Sequence, residues 1–314
     1  MYRLKLAFKC RENDFIQGIE DMNDVWERVE AMKNSQSKYL CEDYFNQKLS
    51  ERLSINEECR ARMCEWCYQT VDYFKLSREN VHVAMSCLDR FLSTAQGKPF
   101  LLKKTLYQLS CVASLYIAIK VNETVSLGLS MLVQLGRGVY TAEEITKAEY
   151  EILLAIKWAV NPPPATTFVH LFASMLPFNI ESDTRQDILD LACYQSELAV
   201  ADYKLSALTN SSIIAIASIL NSVELLVECP KALTSIFLHN AAGLAGHLTD
   251  IELARKHLVG LLQAIDESVR ISPQQKVPDK CKFSENTIIF NRTIQICHTK
   301  SKGQEMSPIA IIHN

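Results

Sequence analysis

QLSCVASLYIAIK (Gln108 to Lys120) reads as a helix that is apolar all round and studded with Ala and Ser. Such a helix leaves no face for water, so it belongs at the centre of a bundle, where small residues let neighbours approach closely. SSIIAIASIL (Ser211 to Leu220) repeats the character further along the chain. Two central helices predict an internal repeat of two bundles of roughly five helices each. The repeats differ at one place: the first stretch ends in Lys120, the second in Leu220 and Asn221.

Outward from these stretches, local signals mark the other helices. The pattern predicts helices from about Phe15 to Met32 and from Lys38 to Leu49. Ser77 can cap a helix running to about Leu92, because its hydroxyl can accept an orphan first-turn amide. Pro99 suits the first turn of the next helix, which runs to Lys120. Thr141 with Glu144 three residues later forms a capping-box signature for a helix ending near Lys157. Asn161-Pro162-Pro163-Pro164 then interrupts the run, since proline lacks an amide and restricts the residue before it. Helices restart near Thr166, Thr184, Ser206, Lys231 and Thr249, the last reaching about Val269. The resulting organisation is an N-terminal extension (1–55), a first bundle (56–160), a Pro-rich linker (161–165), a second bundle (166–270) and a tail (271–314). The tail carries two Ser-Pro pairs, Ser272-Pro273 and Ser307-Pro308.

Composition narrows the function classes. With 314 residues, 48% of them hydrophobic, the chain can bury two compact cores. Nine Gly and nine Pro suit a helix-rich protein. A formal net charge of −3 supplies no basic field, so neither nucleic acid nor an anionic membrane is expected as partner. No window is apolar for long enough to span a bilayer, and MYRLKLAFKCREND at the start does not read as a secretory leader. Eleven cysteines, an odd number without regular spacing, point to a reducing compartment. Seven dispersed His and the lack of a glycine-rich phosphate loop argue against an enzyme, and no cofactor is expected. Cys64-Glu65-Trp66-Cys67 has the spacing of a thiol metal site, but no second ligand pair accompanies it, so no metal is expected.

Four charges fall on otherwise apolar helical stripes. Glu149 lines up with Ile145, Ala148, Ile152 and Ile156; Lys120 follows Leu109, Val112, Ala113 and Tyr116. Arg60 lies with Met63, Cys67, Val71 and Phe74, and Asp89 beside Met85, Leu88 and Leu92. Helix-end charges with snorkelling stems would look similar. Four in one half, two of each sign, favour groups that are paired with one another or met by a partner, because an unpaired buried charge is too costly to persist.

These residues bring a family into view. CRARMCEWCYQT (Cys59 to Thr70), LDRFLS (Leu88 to Ser93), YIAIKVNE (Tyr116 to Glu123) and AEYEIL with KW and PPPATTF (Ala148 to Phe168) resemble the cyclin box. Its five defining positions are matched in order by Arg60, Asp89, Leu109, Lys120 and Glu149. ELAVADYKLS (Glu197 to Ser206) resembles the divergent second cyclin repeat, and the resemblance covers about residues 14–270. It implies an all-α fold of two tandem five-helix cyclin-box domains with an N-terminal helix. By the same resemblance Arg60 and Asp89 form an internal ion pair and Leu109 belongs to the core. Lys120 and Glu149 would meet main-chain groups of a cyclin-dependent kinase at its regulatory, PSTAIRE-type helix. Val121, Leu153, Ile156, Trp158 and Val160 would supply the apolar part of that contact, and the helix at 15–32 would extend it. The implied role is allosteric activation of a Ser/Thr kinase in cell-cycle control, in the nucleus or cytoplasm. The alternative is a cyclin-fold transcription factor or scaffold that activates no kinase.

Many cyclins also dock substrates or inhibitors carrying an Arg-x-Leu motif. The corresponding positions are Cys59, Arg62, Met63, Trp66, Gln69 and Gln108. Arg62 stands where the family has an apolar residue and Gln69 where it has an acid, so a basic motif would be repelled and this docking is expected to be degraded. The connection from Ser93 to Lys104 is longer than the family's usual one. Arg3-x-x-Leu6 fits a minimal destruction pattern.

Overall fold

A computed structural model describes residues 12–271 apart from 46–53, 125–126, 137, 178–179, 228–229, 242 and 244–246. The Arg3-x-x-Leu6 pattern, both Ser-Pro pairs and the tail beyond 271 lie outside the described residues. Among the described residues there are helices and turns but no strands, and no helix is long and apolar enough to cross a membrane.

The first bundle contains α2 (Glu57–Phe74), α3 (Glu79–Ser93), α4 (Lys104–Asn122), α5 (Leu129–Leu135) and α6 (Ala142–Ala155). The second contains α7 (Ala165–Ala173), α8 (Ser182–Ala201), a short α9 (Tyr203–Leu208), α10 (Ser211–Leu226), α11 (Pro230–Asn240) and α12 (Leu248–Ile271). α4 packs against α2, α3 and α6, and α10 against α7, α8, α11 and α12. Both central helices are buried almost end to end, as their composition requires. Ser110 and Ser218 turn inward at little cost because their hydroxyls bond preceding-turn carbonyls, Ser110 to Tyr107 O at 2.7 Å and Ser218 to Ile214 O at 2.8 Å, whereas the Ser114 hydroxyl is buried without a partner among the described residues.

The local signals read from sequence operate as physical devices. Thr141 Oγ1 accepts from the Glu144 amide at 3.1 Å while the Glu144 carboxylate accepts from the Thr141 amide at 2.8 Å, a complete capping box. Ser77 Oγ accepts from the Glu79 amide at 3.3 Å. Pro99 opens a short 3-10 helix, Lys98–Leu102, rather than α4 itself. That connection is packed: Phe100 meets Phe91 edge-on at 4.9 Å and Leu101 is buried. Gly97 is required there, because a Cβ would lie 2.0 Å from the Phe91 carbonyl oxygen.

Two expectations are corrected. No helix runs from Lys38: after α1 (Glu12–Gln36) and a 3-10 turn at Ser37–Tyr39, residues 40–45 leave helical geometry. Tertiary bonds prevail over local propensity here, since the Cys41 amide donates to Ala207 O at 3.3 Å and the Tyr44 amide to the Tyr203 hydroxyl at 3.0 Å. The N-terminal helix, which the resemblance sets beside the first bundle, packs its described side chains on the second core: Val29 is fully buried there, with Val25, Trp26 and Met32 against it. Gln36 caps α10 across the chain, donating to Ser212 Oγ at 2.9 Å and accepting from the Ser212 amide at 3.1 Å.

The bundles share one seam. Val200, Tyr203 and Ala207 from the second repeat are buried in the first core. Arg60 lies beneath them, donating Nε to Asp89 Oδ1 and Nη2 to Asp89 Oδ2. Its remaining N–H groups reach Val200 O (2.9 Å), Ala201 O (3.1 Å) and Ser206 Oγ (3.0 Å). The ELAVADYKLS stretch is therefore the second repeat's half of the seam.

Candidate functional site

Lys120 occupies the last turn of α4, where a cation is favoured by the helix dipole. Its Nζ is ion-paired with Glu149 Oε1 of α6 and lies 4.6 Å from the Tyr116 ring centroid. The pair is asymmetric: the Lys120 side chain is 41% exposed and that of Glu149 only 10%. Glu149 Oε2 makes no hydrogen bond among the described residues, and Lys120 Nζ has protons left to donate. Side by side at the surface stand a charged donor and a charged acceptor, both able to meet the N–H and C=O groups of another backbone.

The corresponding level of the second repeat is closed. Asn221 donates to Gln195 Oε1 at 3.0 Å and to Arg255 O at 3.2 Å, and accepts from Arg255 Nε at 3.1 Å. Arg255 is held further by Glu224 and Glu252. The polar groups there are satisfied internally, which leaves the first repeat as the candidate site.

The two elements that bear the pair also carry exposed apolar side chains: Val121 (44%) next to Lys120, Tyr150 (58%) and Leu154 (50%) on the outer face of α6, and Trp158 (60%) just beyond it. Exposed large apolar groups gathered about a polar centre are the composition of a binding surface. Of the residues expected from sequence, Val121 and Trp158 are exposed and Val160 is half-buried. Leu153 and Ile156 are buried in the first core with Ile145 and Ile152. Tyr150 and Leu154, four apart on the outer face of α6, are exposed. The signal that finds them is the buried stripe itself, because residues off its arc face outward.

Trp158 is displayed by unusual backbone. α6 ends in a Schellman arrangement, with the Lys157 amide bonding Leu154 O at 3.1 Å and the Trp158 amide Leu153 O at 2.9 Å. Lys157 (φ 54°) takes the left-handed position that favours glycine, and Trp158 (φ 59°) continues in the same region. Each costs on the order of 1 kcal/mol for an L-residue.

The other expected residues have inward roles. Arg60 and Asp89 form the buried pair described above, and Leu109 lies in the first core. Of the docking positions, Met63, Trp66 and Gln108 are buried, with Gln108 accepting from the Tyr140 hydroxyl at 3.3 Å. Arg62 is ion-paired with Glu58 at 2.6 Å, Gln69 donates to Glu65 at 3.3 Å, and Cys59 is half-buried. Cys64 and Cys67 are buried within α2, and Cys67 Sγ lies 3.6 Å from Cys111 Sγ. Among the described residues no three His, Cys, Asp or Glu side chains could jointly hold a metal.

Sequence reasoning missed a cavity of about 340 Å³ at the seam, lined among others by Arg78, His82, Pro164, His170, Cys193 and Glu197. Arg78 bridges the bundles there, pairing with Asp72 and, at 2.9 Å, with Glu197 of α8. His82 Nε2 is buried without a hydrogen-bond partner, and burial lowers the pKa of His82 to about 4.

Comparison with known proteins agrees with this arrangement. Residues 27–161 match the family model of the cyclin N-terminal domain. Over 164 residues the chain is 27% identical to the G1/S-specific cyclin-E1 of Gallus gallus, covering 52% of this chain and 38% of the relative. Over 291 residues it is 25% identical to the G2/mitotic-specific cyclin-A of Hydra viridissima, covering 87% and 63%. The chain thus spans less than two thirds of either relative's length. In fold it is similar to a viral cyclin from herpesvirus saimiri, with TM-score 0.56 and 20% identity over 76% of this chain and 97% of that one. It is also similar to a chain of the CAK complex of Chaetomium thermophilum bound to ATP-gamma-S, with TM-score 0.50, 16% identity and coverage of 91% and 88%.

Proposed function

Since this chain belongs to the cyclin family, we propose that it is the regulatory subunit of a cyclin-dependent Ser/Thr kinase and activates that kinase allosterically in cell-cycle control. One observation carries the reading: the Lys120–Glu149 pair, with an unused acceptor and spare donors, reaches the surface next to exposed Val121, with exposed Trp158 just beyond the end of the helix that bears Glu149. The polar centre suits the main-chain groups of a partner helix, and the apolar rim suits that helix's side chains.

A kinase whose regulatory helix is displaced has its Lys–Glu ion pair broken and its phosphates mispositioned. A rigid helical body that binds only the inward position of that helix shifts the population toward the active state. Moving a 1:99 equilibrium to 99:1 takes about 5.5 kcal/mol of differential binding, within reach of a preformed interface with a charged centre. The subunit itself carries out no chemical step in this scheme.

The test is affinity purification with mass spectrometry, followed by a kinase assay on the recovered complex. The wild-type chain should recover a cyclin-dependent kinase and raise its activity, whereas a Lys120→Ala/Glu149→Ala chain should not. Equal recovery and equal activation by both would overturn the proposal.

A further inference from the structure

Arg90 is a buried cation, 7% exposed, that pairs with no carboxylate among the described residues. Its guanidinium is instead surrounded by neutral groups. Nε donates to Ser86 O at 3.3 Å, Nη2 lies 3.9 Å from Cys87 Sγ, and the ring of Tyr39 is 4.9 Å from the guanidinium carbon. Nη2 also donates to the carbonyl of Ala159, the residue immediately after Trp158.

That last bond joins two features that look unrelated in sequence. The Schellman bonds account for the left-handed turn at Lys157, and the Ala159 amide, donating to Ile156 O at 3.2 Å, ties the peptide after Trp158 back to the end of α6. Strained backbone persists only where its surroundings over-determine it. Arg90 adds a constraint from outside the helix end by holding the Ala159 carbonyl, in the peptide that follows the turn, and Tyr39 covers the guanidinium from the side of the N-terminal segment. An arginine suits the position because its planar group can stack on a ring and donate in its own plane at once.

We infer that Arg90 is a positioning residue: through the Ala159 carbonyl it sets the turn at Lys157–Trp158 and holds Trp158 outward as an anchor for the partner protein. What Trp158 meets rests on the kinase-regulator reading; that Arg90 holds it does not.

The test uses the full chain labelled with 5-fluorotryptophan, in which the Trp158 resonance is assigned with Trp158→Phe. Arg90→Met should move the Trp158 signal and change its solvent isotope shift, while Trp26 and Trp66 keep theirs. Kinase affinity should fall about tenfold in Arg90→Met and recover to within about threefold in Arg90→Lys, which keeps a donor for the carbonyl. Arg90→Met added to Trp158→Ala should cost nothing further, since both act on one anchor. An unmoved Trp158 resonance, or losses that multiply in the double variant, would overturn the inference. If the wild-type chain binds no kinase at all, the functional reading falls, and the fluorine spectrum alone decides the role of Arg90.

Discussion

Arg60 and Asp89 face each other across α2 and α3 in a two-point ion pair, with N···O distances of 2.9 and 2.7 Å and almost no solvent on either side chain. Asp89 Oδ1 also accepts from the Tyr44 hydroxyl at 2.7 Å, and Arg60 directs its other donors to the second repeat. Every N–H of the guanidinium is used. The pair therefore does more than lock two helices, because it fastens the N-terminal segment and both bundles at one point.

Breaking this junction from one side should be severe. Arg60→Met strands a buried carboxylate together with the Val200 and Ala201 carbonyls, and the expected loss is about 3–5 kcal/mol. Urea denaturation followed by circular dichroism measures it. Replacing both partners by apolar residues, Arg60→Met with Asp89→Leu, should recover part of that loss, as no unpaired charge remains. A double variant as unstable as the single would show that the second-repeat carbonyls, not Asp89, dominate.

The shared seam has a thermodynamic consequence. With Val200, Tyr203 and Ala207 inside the first core, neither repeat keeps its full packing alone. Residues 12–271 should unfold in one transition whose calorimetric and van't Hoff enthalpies agree. Two resolved transitions in differential scanning calorimetry would mean that the repeats are independent.

Much of this was legible in sequence, for reasons that differ residue by residue. A helix apolar on every side has only one place to go, so Gln108–Lys120 and Ser211–Leu220 predict their own centrality. Thr141 and Glu144 fix a helix start because the capping box is closed within four residues. The stretch after Lys38 misleads because its Cys41 and Tyr44 amides are held by Ala207 and Tyr203, more than a hundred and fifty residues away. The α6 stripe of Ile145, Ala148, Ile152 and Ile156 turns inward and leaves Tyr150 and Leu154 facing outward. What sequence could not supply is long-range partnership, such as Gln36 capping α10 or Arg90 reaching Ala159.

Acid should destabilise the fold through His82. Burial lowers its pKa from 6.5 to about 4 in the folded chain, so the unfolded chain binds the proton first. Stability is then fully present above about pH 6.5 and is lost as the pH falls towards 4. One pH unit below 6.5 the loss is about 1.4 kcal/mol. Melting curves of the wild type and His82→Phe at pH 7.5 and 5.5 isolate this group. The wild type should lose more between the two, and equal losses would exclude His82 as the cause.

Four thiols should be silent in the native protein. Cys64, Cys67, Cys87 and Cys111 are buried, and burial pushes the Cys64 thiol up to about 12 and that of Cys87 to about 11. The thiolate is the reactive form, so these groups react only after unfolding. Titration with a thiol reagent before and after denaturant should differ by at least these four. A smaller difference would mean that the first core opens readily.

The Lys120–Glu149 pair should matter far more to binding than to folding. In the free chain the Lys120 side chain is 41% exposed, so water screens the bridge and it contributes about 0.2–1 kcal/mol to stability. Once a partner backbone covers the pair, each charge is desolvated and hydrogen-bonded, and truncating one should cost about 2–5 kcal/mol of affinity. Lys120→Ala should therefore leave the melting temperature nearly unchanged while weakening kinase binding by more than tenfold in surface plasmon resonance. Glu149→Ala should behave alike in binding, with a somewhat larger effect on stability because its side chain is the more buried. If both variants melted early and bound the kinase normally, the pair would be a strut between α4 and α6 and the contact with the kinase would have to lie elsewhere.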